Sequence, residues 1–293
     1  ISSIPGPQLV VPINNARYAI NAANARWGSI YNALYGTNLI PDKKPYEISL
    51  HFNKERGQEV INKSKKILDI FAPLINETYS NIKGFKIKKQ KLVFERFKGT
   101  FTSLKIPQQF KGYVGNIKNP TEIILEKNQL HIRVQFDKNR EIKNIFVESA
   151  ISVIMDCEDS VACVDADDKV QSYSNWLGLM KGDLEDTFEK DGAKQTRRLH
   201  PDKYYSAPDG SKIKLKGRAL LWVRNVGHLM TNPAILDAAG NEIPEGLMDA
   251  AITTLIGIHD LKRDGGNSVT GSIYIVKPKM HGPEEVTFAN DIF

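Results

Sequence analysis

The sequence predicts an α/β protein, with βα units around a parallel sheet and inserted segments between them. Three observations carry this. Uninterrupted apolar runs recur at QLVVPI (8–13), ISVIMD (151–156), RALLWV (218–223) and SIYIVK (272–277), and strands covered on both faces of a parallel sheet read this way. Helical patterns alternate with them, the order expected of βα units. Between the first and second runs the pattern changes to short β-rich segments, so material of another architecture is spliced in. Such strands suit a barrel or a doubly wound sheet.

The elements follow in order. NNARYAINAANARWGSIYNALYG (14–36) is Ala-rich and Asn-capped, a helix or two short ones broken at Gly28. Residues 53–75 carry Val60, Ile61, Ile67, Leu68 and Phe71 at helical spacing. From Phe85 to Val147, segments such as KLVFERF, TEIIL and LHIRVQF alternate with turns at Lys118-Asn119-Pro120 and Asp137-Lys138-Asn139 and read as strands. DSVACVDADDKVQSYSNWLGLMKG (159–182) is predicted as a helix carrying Val161, Val164, Val170, Trp176 and Leu177. A polar, turn-rich interval spans Lys190 to Gly217, and RNVGHLMTN is a loop after RALLWV. MDAAITTLIGIHDLK is a helix, and GPEEVTFANDIF, with Pro283 followed by two glutamates, looks like another beginning.

A chain of 293 residues with 41% hydrophobic and 25% charged content has the make-up of a globular protein of one large domain or two ordinary ones. It has no apolar run long enough to span a bilayer and no signal peptide, which sets the expectation of a cytoplasmic protein without a membrane partner. Cys157 and Cys163 read as buried thiols rather than a disulfide. The net charge of +6 is concentrated in residues 83–118, where nine lysines and Arg96 face only Glu95. The aromatics there alternate as in strands and form no RNA-binding signature, so the patch reads as a solvated face, with no nucleic-acid partner. G-x-S-x-G, P-loop and G-x-G-x-x-G patterns are absent, which disfavours serine hydrolases, P-loop nucleotide hydrolases and Rossmann dehydrogenases.

Parallel folds collect their reactive groups where strands end. ISVIMD ends in Asp156-Cys-Glu158-Asp159-Ser160, RALLWV in Arg224-Asn225, and SIYIVK in Lys277-Pro-Lys279-Met-His281. Carboxylates, a guanidinium and lysines on one rim are a pattern expected for Mg²⁺ with an anionic carbonyl substrate. Asp156 and Glu158, two apart, should point to the same side, although Glu158 or Asp159 could instead cap the helix that follows. Arg224 needs an anionic partner and suits two-point binding of a carboxylate or carbonyl. A structural ion pair with Asp156 or Glu158 is the plainer alternative. Asp165, Asp167 and Asp168 are expected on the outer helix face, because DADDK lacks the central glycine and closing glutamate of a calcium loop. His228, His259 and His281 lack zinc-type spacing.

MDCEDSVACVDADDKVQSYSNWLGLMKG, GRALLWVRNVGHLMTN, EGLMDA and IYIVKPKMHGPEEV, with VVPINNARYAINAANARWGSIYNALYG before them, resemble the malate synthase family in its G form. The resemblance is weakest across residues 83–145. It implies a partial (β/α)₈ TIM barrel interrupted by an inserted α/β domain. Residues 1–26 would be the first barrel strand and helix, 27–150 and 182–217 the two parts of the insert, and 151–181 and 218–293 further barrel.

The family condenses acetyl-CoA with glyoxylate and hydrolyses the thioester to give malate and CoA. By resemblance Arg224 contacts glyoxylate and stabilises the enolate oxygen, while Asp156 and Glu158 hold waters on Mg²⁺. Val10, Arg17, Tyr18, Ser160 and Arg197 match acetyl-CoA-binding positions. The direct Mg²⁺ ligands and the catalytic aspartate are implied beyond Phe293, so the chain reads as an internal fragment, inactive alone, of an enzyme expected to be monomeric. The nearest competing enzyme is a Mg²⁺-dependent CoA-thioester lyase of the citrate lyase β or malyl-CoA lyase type, which shares the carboxylate and arginine logic but not the GHLMTN and KPKMHGPEE motifs. A basic binding module centred on residues 83–118 is the alternative from another class.

Overall fold

The computed structural model describes residues 6–41, 53–158, 163–190 and 192–293. In chain order the elements begin with β1 (Gln8–Pro12), α1 (Ala16–Asn24), β2 (Trp27–Ser29), α2 (Ile30–Tyr35) and α3 (Lys54–Phe71). Strands follow as β3 (Ile82–Lys88), β4 (Lys91–Arg96), β5 (Phe101–Ser103), β6 (Phe110–Asn116), β7 (Asn119–Lys127), β8 (Leu130–Phe136) and β9 (Ile142–Glu148). Next come β10 (Ser152–Asp156), α4 (Ala166–Lys181), β11 (Glu185–Lys190), β12 (Ala193–Arg198), β13 (Lys203–Ser206) and β14 (Lys212–Leu215). The last are β15 (Leu220–Arg224), β16 (Thr231–Leu236), β17 (Glu242–Pro244), α5 (Glu245–Leu261), β18 (Ile275–Val276) and α6 (Pro283–Ile292). The described chain forms two compact units, one of residues 27–149 and 203–216, the other of 6–26, 150–202 and 217–293.

The second unit is built on four parallel strands in the order β1-β10-β15-β18. Their last residues are in register, Pro12 beside Asp156, Asp156 beside Arg224 and Arg224 beside Val276, so all four strands end along one edge. Val153, Met155, Leu221 and Val223 are buried against Ala19 and Ala23 of α1, Trp176 and Leu179 of α4, and Met248 and Ile256 of α5. These four residues share the face that the helices cover, whereas Ile154, Leu220 and Trp222 on the opposite face are only half-buried, so the coverage expected on both faces of such runs is found on one face alone.

The outer two strands depart further from that expectation. β1 pairs on one side only, and Val10 is 53% exposed. SIYIVK contributes only Ile275 and Val276 to the ladder. RNVGHLMTN, expected as a loop, runs at its end into the β16–β17 hairpin.

α4 begins later than the sequence suggests. Asp165 is its N-cap, its side chain accepting from the Asp168 N–H, and the Asp168 carboxylate accepts from the Val164 N–H. These two aspartates therefore satisfy backbone donors at the helix start, where negative charge is also favoured by the dipole. Val164 and Val170 are exposed rather than core, while Val161 lies outside the described residues. The inward face is Tyr173, Trp176, Leu179 and Met180. Gly182, at φ +81°, closes the helix by donating to the carbonyls of Gly178 and Leu179, a geometry that suits glycine.

The first unit is antiparallel. Seven strands lie in the order β14-β13-β6-β7-β8-β9-β2, beside a smaller β3-β4-β5 sheet. Val60 and Leu68 of α3 pack into a core with Phe85, Phe94, Leu125 and Ile145. The expected break at Gly28 is a short strand between α1 and α2, with Trp27 paired to Glu148 and Gly28 to Val147. A Cβ at Gly28 would stand 2.6 Å from Ser149 Oγ, so the close approach of this pair needs glycine. The sequence reading placed 182–217 with the insert. Only 203–216 joins this unit, because an Arg17–Asp186 ion pair and the Asn24 amide, which donates to the Arg198 carbonyl, tie the β11–β12 hairpin to α1.

Candidate active site at the parallel strand ends

The register that aligns the strand ends sets Asp156 directly beside Arg224. Arg224 Nε donates to Asp156 Oδ1 at 2.9 Å and Nη2 to Oδ2, a two-point grip, while Nη2 also lies 3.1 Å from Glu158 Oε2. Asp156 and Glu158 do point to the same side, and the Glu158 N–H donates to Asp156 Oδ1 at 2.9 Å. Glu158 does not cap the helix that follows, whose N-cap is Asp165. Asp159 and Ser160 lie outside the described residues.

Lys279, from the end of the fourth strand region, pairs with the other oxygen of Glu158. Both carboxylates are buried, whereas the Arg224 side chain keeps 26% of its surface open. The hydrogen bond to Asp156, and then the charges of Asp156 and Glu158, hold the guanidinium above its ordinary value despite partial burial. Arg224 is therefore a fixed cation with an open side, suited to an anion or to developing negative charge.

Beneath these residues lies a buried polar network that sequence reasoning missed. Lys169 Nζ donates to the Cys157 carbonyl and to Asp249 Oδ1, each at 3.0 Å, and lies 2.5 Å from Glu245 Oε1. Tyr173 Oη donates to Asp249 Oδ1 at 2.6 Å, and Asp249 Oδ2 accepts from the Val226 N–H at 2.9 Å. The network joins the backbone between Asp156 and Glu158 to the backbone two residues after Arg224. Burial alone would lower the lysine, but Asp249 and Glu245 raise it above its ordinary value. The available signal was Glu245, Asp249 and Thr253 at four-residue spacing in a largely apolar helix, which places three polar groups on one face.

Cys157 and Cys163 are free and buried. Desolvation pushes both thiols up, so they are poor nucleophiles. Lys277 donates to the Val226 carbonyl at 2.6 Å and is lowered by burial.

Two of the other expected positions, Arg17 and Arg197, meet at Phe188. Arg17 lies with its guanidinium carbon 3.8 Å from the Phe188 ring centroid and its Nε 2.8 Å from Asp186 Oδ2. Arg197, opposite Asp186 on the hairpin, is 5.7 Å from the same ring. Tyr18 is 57% exposed. Phe188 and Asp186 were not anticipated.

Among the described residues, no three His, Cys, Asp or Glu side chains cluster as a ligand set. Asp156 and Glu158 are already held by Arg224 and Lys279. Their remaining acceptor capacity fits hydrogen bonds to water around a cation better than coordination by the pair alone.

Comparison with known proteins bears on the whole chain. The alpha-beta insertion domain of malate synthase G matches residues 52–127, and the malate synthase TIM barrel domain matches residues 220–293. Malate synthase G of Halalkalibacterium halodurans is 50% identical over 303 residues, covering 100% of this chain and 42% of that protein. The Corynebacterium glutamicum malate synthase G is 48% identical, covering 100% and 41%. The chain belongs to the malate synthase G family. It spans about two-fifths of the length of these relatives. The malate synthase barrel match includes Arg224 and Lys279, and the insertion-domain match falls in the antiparallel unit.

Proposed function

We propose that the chain is part of a malate synthase, a cytoplasmic acyltransferase of the glyoxylate bypass that condenses acetyl-CoA with glyoxylate and hydrolyses the thioester to malate and CoA. The observation that carries this reading is Arg224, held in two places by Asp156 and left open on one side. The four parallel strands in chain order are then an arc of a (β/α)₈ barrel, with the antiparallel unit inserted after its first strand and helix.

Arg224 meets the glyoxylate carboxylate and the oxygen on which negative charge develops when the acetyl methyl loses its proton. Because Asp156 fixes the guanidinium beforehand, little reorganisation is needed as that charge appears. Asp156 and Glu158 would accept hydrogen bonds from water around a bound Mg²⁺, which would supply a Lewis acid for the aldehyde. Lys279 and Arg224 balance the paired carboxylates. Arg17 and Arg197 offer cations for the CoA phosphates, with Val10 and Tyr18 as exposed apolar surface for its adenine end; Ser160 belongs to the same set. The residue that accepts the methyl proton and the direct metal ligands are assigned to no position in this chain.

The test has two arms. The 293-residue chain, incubated with acetyl-CoA, glyoxylate and Mg²⁺, is expected to release no free thiol. The longer protein carrying it should release thiol only when glyoxylate is present, and Arg224→Lys should lower its kcat by about 10²–10³, the range for loss of one preorganised oxyanion donor. Full turnover by the Arg224→Lys enzyme would sink the assignment.

A further inference from the structure

The antiparallel unit contains a cavity of ≈ 220 Å³ between α3 and the strands, lined by Phe85, Phe94, Ile123, Val134 and Phe136. Ile123 and Val134 are 1% exposed, so the cavity floor is a finished core. Phe85 and Phe136 meet at 4.1 Å between centroids, their planes tilted by 33°. Tyr79 also lines the cavity but turns its hydroxyl onto the Ala72 carbonyl at 2.8 Å, leaving only its ring as wall. Gly84 borders the space, and a Cβ added there would meet nothing within 4 Å. The unit therefore leaves open a volume that a larger residue at position 84 could enter.

The polar part of the lining is uneven. Lys65 and Arg140 face Glu141 and Gln58. Gln58 is engaged by Asn62 on its own helix. Among the described residues, Arg140 is held by neutral oxygens, Asn119 Oδ1 at 3.1 Å and the Lys118 carbonyl at 3.4 Å. Lys65 has no hydrogen bond or ion pair among the described residues. Phe97, also in the lining, is 67% exposed. An aromatic chamber with two cations, one carboxylate and no internal ion pair for Lys65 favours a ligand with an apolar body and a single negative charge. Glu141 weighs against dianions. Short polar acids such as glyoxylate would leave the aromatic walls in contact with nothing.

We propose that this cavity is a binding site for a small amphipathic monocarboxylate, its apolar body between α3 and the sheet and its carboxylate at Lys65 and Arg140. The volume exceeds the roughly 150 Å³ of an engineered cavity that admits benzene, so a body of about six to ten carbons fits. The site lies wholly within the antiparallel unit and is independent of the reaction assigned to the parallel strand ends.

The experiment is ligand-observed saturation-transfer NMR on the chain, with octanoate, with octanol as its neutral counterpart, and with succinate as the polar diacid. Saturable octanoate binding in the millimolar range or tighter is expected, with no succinate signal. Lys65→Met should weaken octanoate about tenfold, the size expected for losing one charged contact, and leave octanol unchanged. Gly84→Leu should weaken both by taking up part of the space. Should that variant fail to fold, Phe97→Ser, at the exposed rim, should weaken both ligands together. No saturable octanoate signal on the unaltered chain overturns the proposal, as does equal octanoate affinity with and without the Lys65 charge.

Discussion

Two arginines, Arg133 and Arg224, each grip a carboxylate through two nitrogens, and they differ in what surrounds them. Arg133 sits inside the antiparallel sheet, with Nε and Nη2 on Glu122 at 2.7 and 2.9 Å. Gln135 adds a third donor to Glu122, and the Trp27 and Phe146 rings lie 5.0 and 4.9 Å from the guanidinium carbon. Arg133 is 6% exposed. Arg224 sits at a strand end, shared between two buried acids and open to a further ligand. The same pair chemistry serves structure where aromatic walls enclose it and is available for a substrate where the strands stop.

That distinction breaks down if the two pairs respond alike to substitution. The largest stability effect is expected beneath the open site. Lys169→Met leaves Asp249 and Glu245 buried without their cation, and urea denaturation should register a loss of about 3–5 kcal/mol. A loss below about 1 kcal/mol would mean that the network is not the support described here.

The enclosed pair comes next. Arg133→Met alone should cost about 3 kcal/mol because Glu122 is stranded, whereas Arg133→Met with Glu122→Leu should restore most of that. If the double variant is no better than the single, the pair stabilises beyond its own desolvation. Arg224→Lys is expected to cost stability only about 1 kcal/mol, since a lysine still neutralises Asp156 but loses the two-point geometry. A stability loss at Arg224 as large as at Arg133 would make it a structural residue.

The smallest effect is alkaline. The thiols of Cys157 and Cys163 are held above their ordinary value of 9.0, and burial likewise raises Tyr173 and Tyr205 above 10.0. Groups raised in the folded state keep protons that the unfolded chain gives up, so their contribution is complete below pH 9 and declines as pH rises past it. The Tm should fall from about pH 9 upward, and replacing both cysteines by alanine should delay that fall towards pH 10. A Tm that climbs over this interval would contradict the sign.

Much of the open site was legible because its residues interrupt a simple pattern. Asp156 and Arg224 each end an uninterrupted apolar run, and equal strand ends then made them neighbours. Lys279 was legible as a strand-end lysine, but its partner was not. The Lys169 network was hidden because Lys169 and Asp249 are 80 residues apart and meet only through the packing of α4 on α5. The enclosed pair was hidden differently, since charged residues inside a strand alternate like ordinary outward-facing ones until the second sheet face is known to be covered. α4 was misread at its start because Val161 and Val164 extended a helical pattern past the aspartate that caps it. Apolar spacing does not show where backbone donors are satisfied.

Strand order in the parallel sheet carries a kinetic consequence. Gln8 and Ser152 bond to each other across 144 residues of chain, so direct pairing of β1 with β10 would have to close a very long loop. The antiparallel unit shortens that search. β2 and β9, at the two ends of its longer segment, pair Trp27 with Glu148, and once they do, only short tethers separate the two parallel strands. Closure entropy depends on the length of free chain, so an insert that has already formed lowers the cost of pairing β1 with β10. In a refolding experiment, substitutions that loosen the β2–β9 pair should slow formation of a sheet to which neither strand belongs.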